Sequence, residues 1–193
     1  MRMLVTGSPG CGKTTLCQMI VDSARRDGAR VGGVLAPAVH FDGCRIGADA
    51  VDLATGRSAP ITRLGCDDSV SAWRGSRWVI VRQGLDLARE ALERALRQRF
   101  DLIVVDEVGP LELAGGGIRQ EAVDAWNSGR DVLLVVRSAI VDEAVSALGR
   151  APDLRIVPEA PPVERERAID SLAAGAALVR GHERPALLAL ARA

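Results

Sequence analysis

The sequence has no tyrosine, two histidines, and 25 basic residues of which only Lys13 is a lysine. His40 and His182 are isolated, and nothing in their surroundings marks either as a base or a ligand. Cys11, Cys17, Cys44 and Cys66 form no C-x-x-C pair and have no histidine at a zinc-like offset. That excludes a zinc knuckle and a dithiol redox site, and free thiols are expected. No apolar run approaches the ~18 residues that a membrane span needs. The first residues, Met1 to Thr6, run straight into a glycine-rich turn without signal-peptide anatomy, so a cytoplasmic protein with no membrane partner is expected. Acids and bases balance at 25 each, aromatics are 3% of the chain, and no basic stripe is interleaved with them. Nucleic-acid binding is therefore not expected. The preference for arginine over lysine fits a GC-rich genome and says nothing of function by itself, but it makes the lone lysine conspicuous.

What is present is a globular composition. With 193 residues and 48% hydrophobic side chains, the chain can bury roughly 70% of its unfolded surface without staples. Residues 2–6 read as a short buried strand, and Leu16, Cys17, Ile20, Val21 and Ala24 then recur at helical spacing until Asp27-Gly28. From about 30 to 82 the pattern becomes short alternating runs, at 31–36, 39–41, 45–53, 61–64 and 78–81. The turn dipeptides Asp42-Gly43, Thr55-Gly56 and Ala59-Pro60 separate them, which predicts an antiparallel meander. Residues 66–76 read as a loop. Helix and buried strand then alternate: a stripe of Leu85, Ala88, Leu92 and Ala95, a strand at 102–105, a helix at 118–127, and a strand at 131–136. A helix at 141–148, a strand at 154–157 and a helix at 163–178 complete the series. The expected fold is α/β, a mostly parallel central sheet flanked by helices with an antiparallel hairpin or meander insertion. Residues 1–180 would make a single domain and 181–193 a tail.

Gly7-Ser8-Pro9-Gly10-Cys11-Gly12-Lys13-Thr14 fits G-x-x-x-x-G-K-[ST] at every position, between a predicted strand and a predicted helix. Glycines there let successive backbone N–H groups point inward at a helix amino terminus, where the dipole also favours phosphate. Lys13 would bridge the β- and γ-phosphates, Thr14 would coordinate Mg²⁺, and Thr15 could reach the α-phosphate. The competing reading is a glycine turn with a solvated lysine. Residues 102–105 are apolar and are followed by Asp106 and Glu107, which places a metal-holding carboxylate and a water-orienting base at the end of a buried strand. A strand simply ending in solvent gives the same pattern. Arg137 and Ser138 also follow a buried strand, on the edge where open α/β sheets bind ligands. Either could sense the γ-phosphate, and Arg137 could stabilise transition-state charge, or it could be an ordinary surface arginine. Arg45 and Arg82 have the same standing on spacing. Trp73 and Trp78 suit base stacking, although a tryptophan at a strand position such as 78 is more often core.

These residues resemble a known family. The string GSPGCGKTTL, Gly32-Gly33 followed by a hairpin with Arg45-Ile46-Gly47, the Thr55-Gly56 turn and Val105-Asp106-Glu107-Val108-Gly109-Pro110-Leu111-Glu112 are similar to the small P-loop nucleoside-triphosphatases of thermophiles and of a human cancer-related enzyme. The likeness spans roughly residues 1–148. It implies a RecA-like P-loop fold of the catalytic-glutamate class and slow, Mg²⁺-dependent hydrolysis of ATP, GTP and other nucleoside triphosphates. It also implies that Lys13 and Thr14 hold phosphate and metal, Asp106 supports the metal, Glu107 is the base and Glu112 supports. Two segments depart from the family: Ala36-Pro37-Ala38-Val39-His40, where an acid and an arginine are usual, and Leu113-Ala114-Gly115-Gly116-Gly117, where a polar, lysine-bearing segment is usual. Two other functions remain open on the residues. One is a nucleotide or small-molecule kinase with Arg74 and Arg77 in a lid. The other is a nucleotide-dependent switch that docks an unidentified protein partner. Dinucleotide redox chemistry is not expected, since Gly7, Gly10 and Gly12 do not form G-x-G-x-x-G.

Overall fold

The computed structural model describes residues 1–65 and 78–158. The expected loop at 66–76 with Trp73 and Arg74, the residue Arg77, the helix at 163–178 and the tail at 181–193 lie outside the described residues.

Strand β1 (Arg2–Gly7) leads through the glycine loop into helix α1 (Lys13–Arg26), and β2 (Val31–Leu35) follows. Next come β3 (Ala38–Phe41), β4 (Cys44–Asp52), β5 (Ser58–Leu64) and β6 (Trp78–Ile80). The remainder alternates: α2 (Arg82–Arg97), β7 (Leu102–Val108), α3 (Pro110–Leu113), α4 (Arg119–Asn127), β8 (Asp131–Arg137), α5 (Val141–Leu148) and β9 (Leu154–Ile156). The strands make one sheet in the order β6-β5-β4-β2-β7-β8-β1-β9, with β3 paired to β4. Neighbours from β2 to β9 are parallel, and β4, β5 and β6 extend the same sheet antiparallel from β2. The meander is thus a continuation of the central sheet.

Alternation along the central strands sends side chains to two cores. Met3, Val5, Leu102, Val104, Leu133 and Val135 pack under α1 with its Leu16, Cys17, Ile20 and Val21. Leu4, Ile103, Val105, Val132, Leu134 and Val136 face α2, α4 and α5 through Leu87, Leu92, Trp126 and Leu148. Each large side chain fully buried in this way contributes about 1.5–3 kcal/mol. An exposed helix pair such as Arg97 with Glu93 adds about 0.3–0.5 kcal/mol, so the two cores carry the fold. Trp126 is among the largest fully buried side chains, and its indole N–H donates to the Arg150 carbonyl at 2.9 Å, which answers its one polar atom.

Asp42 and Gly43 both have positive φ, 48° and 73°, as a tight hairpin turn that follows the strand twist requires. Their dipeptide signal is read correctly from sequence. Ala59-Pro60 is different, because the structure puts both residues inside β5 and not in a turn. Proline is tolerated there because the pairing slips from Ala48↔Thr62 to Asp49↔Pro60, a bulge at which no ladder N–H is needed. Strand β7 continues to Val108 instead of ending at Val105, so Asp106 and Glu107 are strand residues. The short helix α3 has too few residues to leave a periodic signal. At the end of β4 the buried Asp52 accepts from Ala54 N at 2.9 Å and Thr55 Oγ1 at 2.6 Å and pairs with Arg94. Burial pushes its pKa up, but these donors outweigh burial and hold it below the ordinary value. No helix among the described residues is long and apolar enough to cross a membrane.

Candidate functional site

Strands β1, β7 and β8 are parallel and end on one edge, where α/β sheets take their ligands. The glycine loop leaves β1 at Gly7 and turns through Gly10 and Gly12 at φ 82° and 93°, values that glycine adopts without strain. Helix α1 begins at Lys13, and its first-turn amides have no carbonyl behind them, so they are available to an anion. The Lys13 ammonium folds back across the loop. It donates to the carbonyls of Gly7 at 3.0 Å and Ser8 at 2.7 Å, and stands 3.9 Å from Cys11 Sγ. Lys13 is 7% exposed. Its hydrogen-bond acceptors are uncharged, so a phosphate placed there would add an opposite charge in direct contact.

Thr14, next on the helix, donates its hydroxyl to Asp106 Oδ2 at 2.8 Å, and the Ala36 amide reaches the same oxygen at 3.1 Å. Three elements therefore converge on one carboxylate: α1, the end of β2 and β7. Burial raises the Asp106 pKa to about 6, with the charge of Glu107 adding to the rise, while the Ala36 and Thr14 bonds and Lys13 oppose it. A raised carboxylate pKa means that the folded protein holds its proton longer than the unfolded chain. Stability therefore falls as pH climbs from about 4 to about 6, by roughly 2–3 kcal/mol at 1.36 kcal/mol per unit. Asp106→Asn, which keeps an acceptor for Thr14 and never ionises, is expected to be the more stable protein at pH 7.5 and to lose this pH dependence. Urea unfolding at pH 4 and pH 7.5 checks it, and a variant weaker than wild type at pH 7.5 would refute the assignment.

Glu107, the next residue of β7, is partly exposed. Its Oε1 accepts from Arg137 Nε at 3.0 Å and Nη2 at 2.6 Å. Glu112 is 8% exposed and faces its own loop. Its carboxylate accepts from the Gly109 amide at 2.9 Å, closing the start of α3, and from Ile118 N at 3.4 Å. Burial raises its pKa against these bonds, with a smaller push from Glu107. A Cβ at Gly117 would lie 1.9 Å from Glu112 Oε1, and Arg89 Nη2 holds the Gly117 carbonyl at 2.7 Å. The divergent run 113–117 is thus a packed turn built around a buried acid.

Of the residues singled out from sequence, Gly7 to Thr14, Asp106, Glu107 and Arg137 gather at this edge. Thr15 is exposed on the first turn of α1, and Ser8, Pro9 and Gly10 are exposed along the loop. Arg45 is elsewhere. It precedes Val51, the partner of Leu35, by six positions, which is roughly 20 Å along a strand. Its Nε donates to the Gly47 carbonyl at 3.2 Å and its guanidinium lies over the Trp78 ring at 5.4 Å. Trp78, half-buried, is therefore neither fully core nor beside the glycine loop. Sequence reasoning missed the Ala36 amide, which a backbone group cannot advertise. It also missed the pairing of Arg137 with Glu107, although each residue was singled out.

A family model described as NTPase matches residues 2–168. Nucleoside-triphosphatase THEP1 of Pyrococcus abyssi is 34% identical over 143 residues, 74% of this chain and 77% of that protein. The protein of that name in Methanothermobacter thermautotrophicus is 31% identical over 156 residues, 81% and 85% of the two chains. The one in Methanopyrus kandleri is 39% identical, and the match spans 59% of its length and 58% of this chain. Among solved structures, "Solution Structure of a Human Cancer-Related Nucleoside Triphosphatase" superposes with a TM-score of 0.67 at 22% identity, covering 95% of this chain and 99% of that one. That likeness is one of fold.

Proposed function

From the premise that this chain belongs to the NTPase family and is a hydrolase of that class, we propose that it cleaves the β–γ phosphoanhydride bond of nucleoside 5′-triphosphates. We propose further that it does so with Mg²⁺ and with broad acceptance of the base. The observation that carries the reading is the 2.8 Å contact between Thr14 Oγ1 and Asp106 Oδ2 beside an ammonium curled into a glycine loop. Lys13 and the first-turn amides of α1 bind the β- and γ-phosphate oxygens and hold the chain of phosphates along the loop. Thr14 and Asp106 are suited to a small hard cation, because they offer a hydroxyl and a carboxylate and leave the other positions to water and phosphate oxygens. When bound, Mg²⁺ neutralises charge on those phosphate oxygens.

Glu107 orients a water in line with the γ-phosphorus and accepts its proton. The water oxygen bonds to phosphorus, and the β–γ bridging oxygen leaves with the electron pair, giving the nucleoside diphosphate and inorganic phosphate. Phosphate release from ATP, GTP, CTP and UTP tests the reading. Slow release from all four, within about tenfold of one another and lost on chelation with EDTA, is expected. Release that appeared only with an added hydroxyl acceptor would replace hydrolysis with phosphoryl transfer to that acceptor.

A further inference from the structure

The strand order β7-β8-β1 puts Arg137 between the two halves of the site. In the β1–β8 register Arg137 is the partner of Gly7, the first residue of the phosphate loop. On the other side of β8 lies β7 with Glu107. Arg137 directs both Nε and Nη2 at Glu107 Oε1, while its Nη1 has no partner among the described residues. The side chains are 45% and 29% exposed, and an ion pair that open to solvent holds weakly. A terminal phosphate at Lys13 would present several charged oxygens to a planar guanidinium, which binds phosphate better than a single carboxylate oxygen.

Resting on the triphosphate reading above, we propose that Arg137 is a positioning residue that reports the γ-phosphate to Glu107. With the site empty or holding a diphosphate, Arg137 occupies Glu107 Oε1. A γ-phosphate draws the guanidinium away, and the freed carboxylate oxygen takes up the attacking water. The same exchange makes triphosphate binding compete with the Arg137–Glu107 pair, so breaking that pair from the Glu107 side must strengthen triphosphate binding.

The test is the ratio of Kd for ADP to Kd for a non-hydrolysable ATP analogue, each with Mg²⁺, in wild type, Glu107→Gln, Arg137→Ala, Arg137→Lys and the Glu107→Gln/Arg137→Ala double variant. Glu107→Gln is expected to raise the ratio about threefold to tenfold, and Arg137→Ala to lower it about tenfold. The double variant should match Arg137→Ala, and Arg137→Lys should recover most of the lost ratio. A purely structural ion pair would move thermal stability in these variants and leave the ratio alone. An unchanged ratio in Arg137→Ala overturns the proposal, as does an equal effect of Glu107→Gln with and without Arg137. If wild type bound neither nucleotide, the phosphate-loop reading would fail and this inference with it, a result distinct from binding with an unmoved ratio.

Discussion

Lys13→Ala is expected to weaken triphosphate binding by at least about a hundredfold while leaving a folded protein. At ~3 Å and an effective dielectric constant near 20, an ammonium and one phosphate charge attract by about 5 kcal/mol. Solvent lost from both reduces the net, and about 3 kcal/mol, rather more than two decades, is a conservative remainder. The fold should survive because the Lys13 ammonium is hydrogen-bonded to two loop carbonyls and a thiol; carbonyls left without a donor at a loop rim can turn to water. Calorimetric titration of the Mg²⁺ nucleotide, beside a thermal melt within a few degrees of wild type, checks both halves. Tight binding by the variant would remove the phosphate role from the residue.

Glu107→Gln should separate binding from chemistry. The amide keeps the size and one acceptor oxygen but cannot take a proton, and a positioned base is worth about 10²–10⁴ in rate. Single-turnover phosphate release should fall by about that factor while the triphosphate still binds. A variant that hydrolysed at the wild-type rate would show that the water is activated elsewhere, and Arg137 would then have no base to position.

The glycine loop was legible in the sequence because its turn depends on residue types at fixed spacing: glycines at 10 and 12 with positive φ, just ahead of the lysine and threonine that open α1. The alternating cores were legible for the same reason, since β1, β7 and β8 are buried on both faces and read as unbroken apolar runs. What escaped depended on tertiary placement. The proline at position 60 looked like a turn and is housed by a bulge whose cause lies in β4. Asp106 and Glu107 read as residues following a strand, and became strand residues because β8 continues alongside to pair Val136 with Val108. Arg45 followed a family-like string but points its charge at Trp78. The Ala36 amide reaches Asp106 from a segment whose side chains differ from the family's, which shows why that divergence spares the contact: a backbone N–H is supplied by any residue but proline.

The place of β1 in the sheet also sets a timetable. The glycine loop hangs on a strand whose neighbours lie far along the chain: Met1 pairs with Asp131 across 130 residues and Arg2 with Asp153 across 151. Loop closure over such spans has to be met before either contact returns anything, so parallel pairings of this kind form late. On a ribosome, residues 2–7 emerge ahead of the meander, α2, β7 and α4 and wait for β8 to seat them. During that interval β2, β3, β4 and β5 can pair locally, whereas the glycine loop hangs on a strand that still has no neighbour. The glycine loop is thus made before the strands that seat it, and the edge it shares with Asp106 and Arg137 is complete only when most of the sheet already exists.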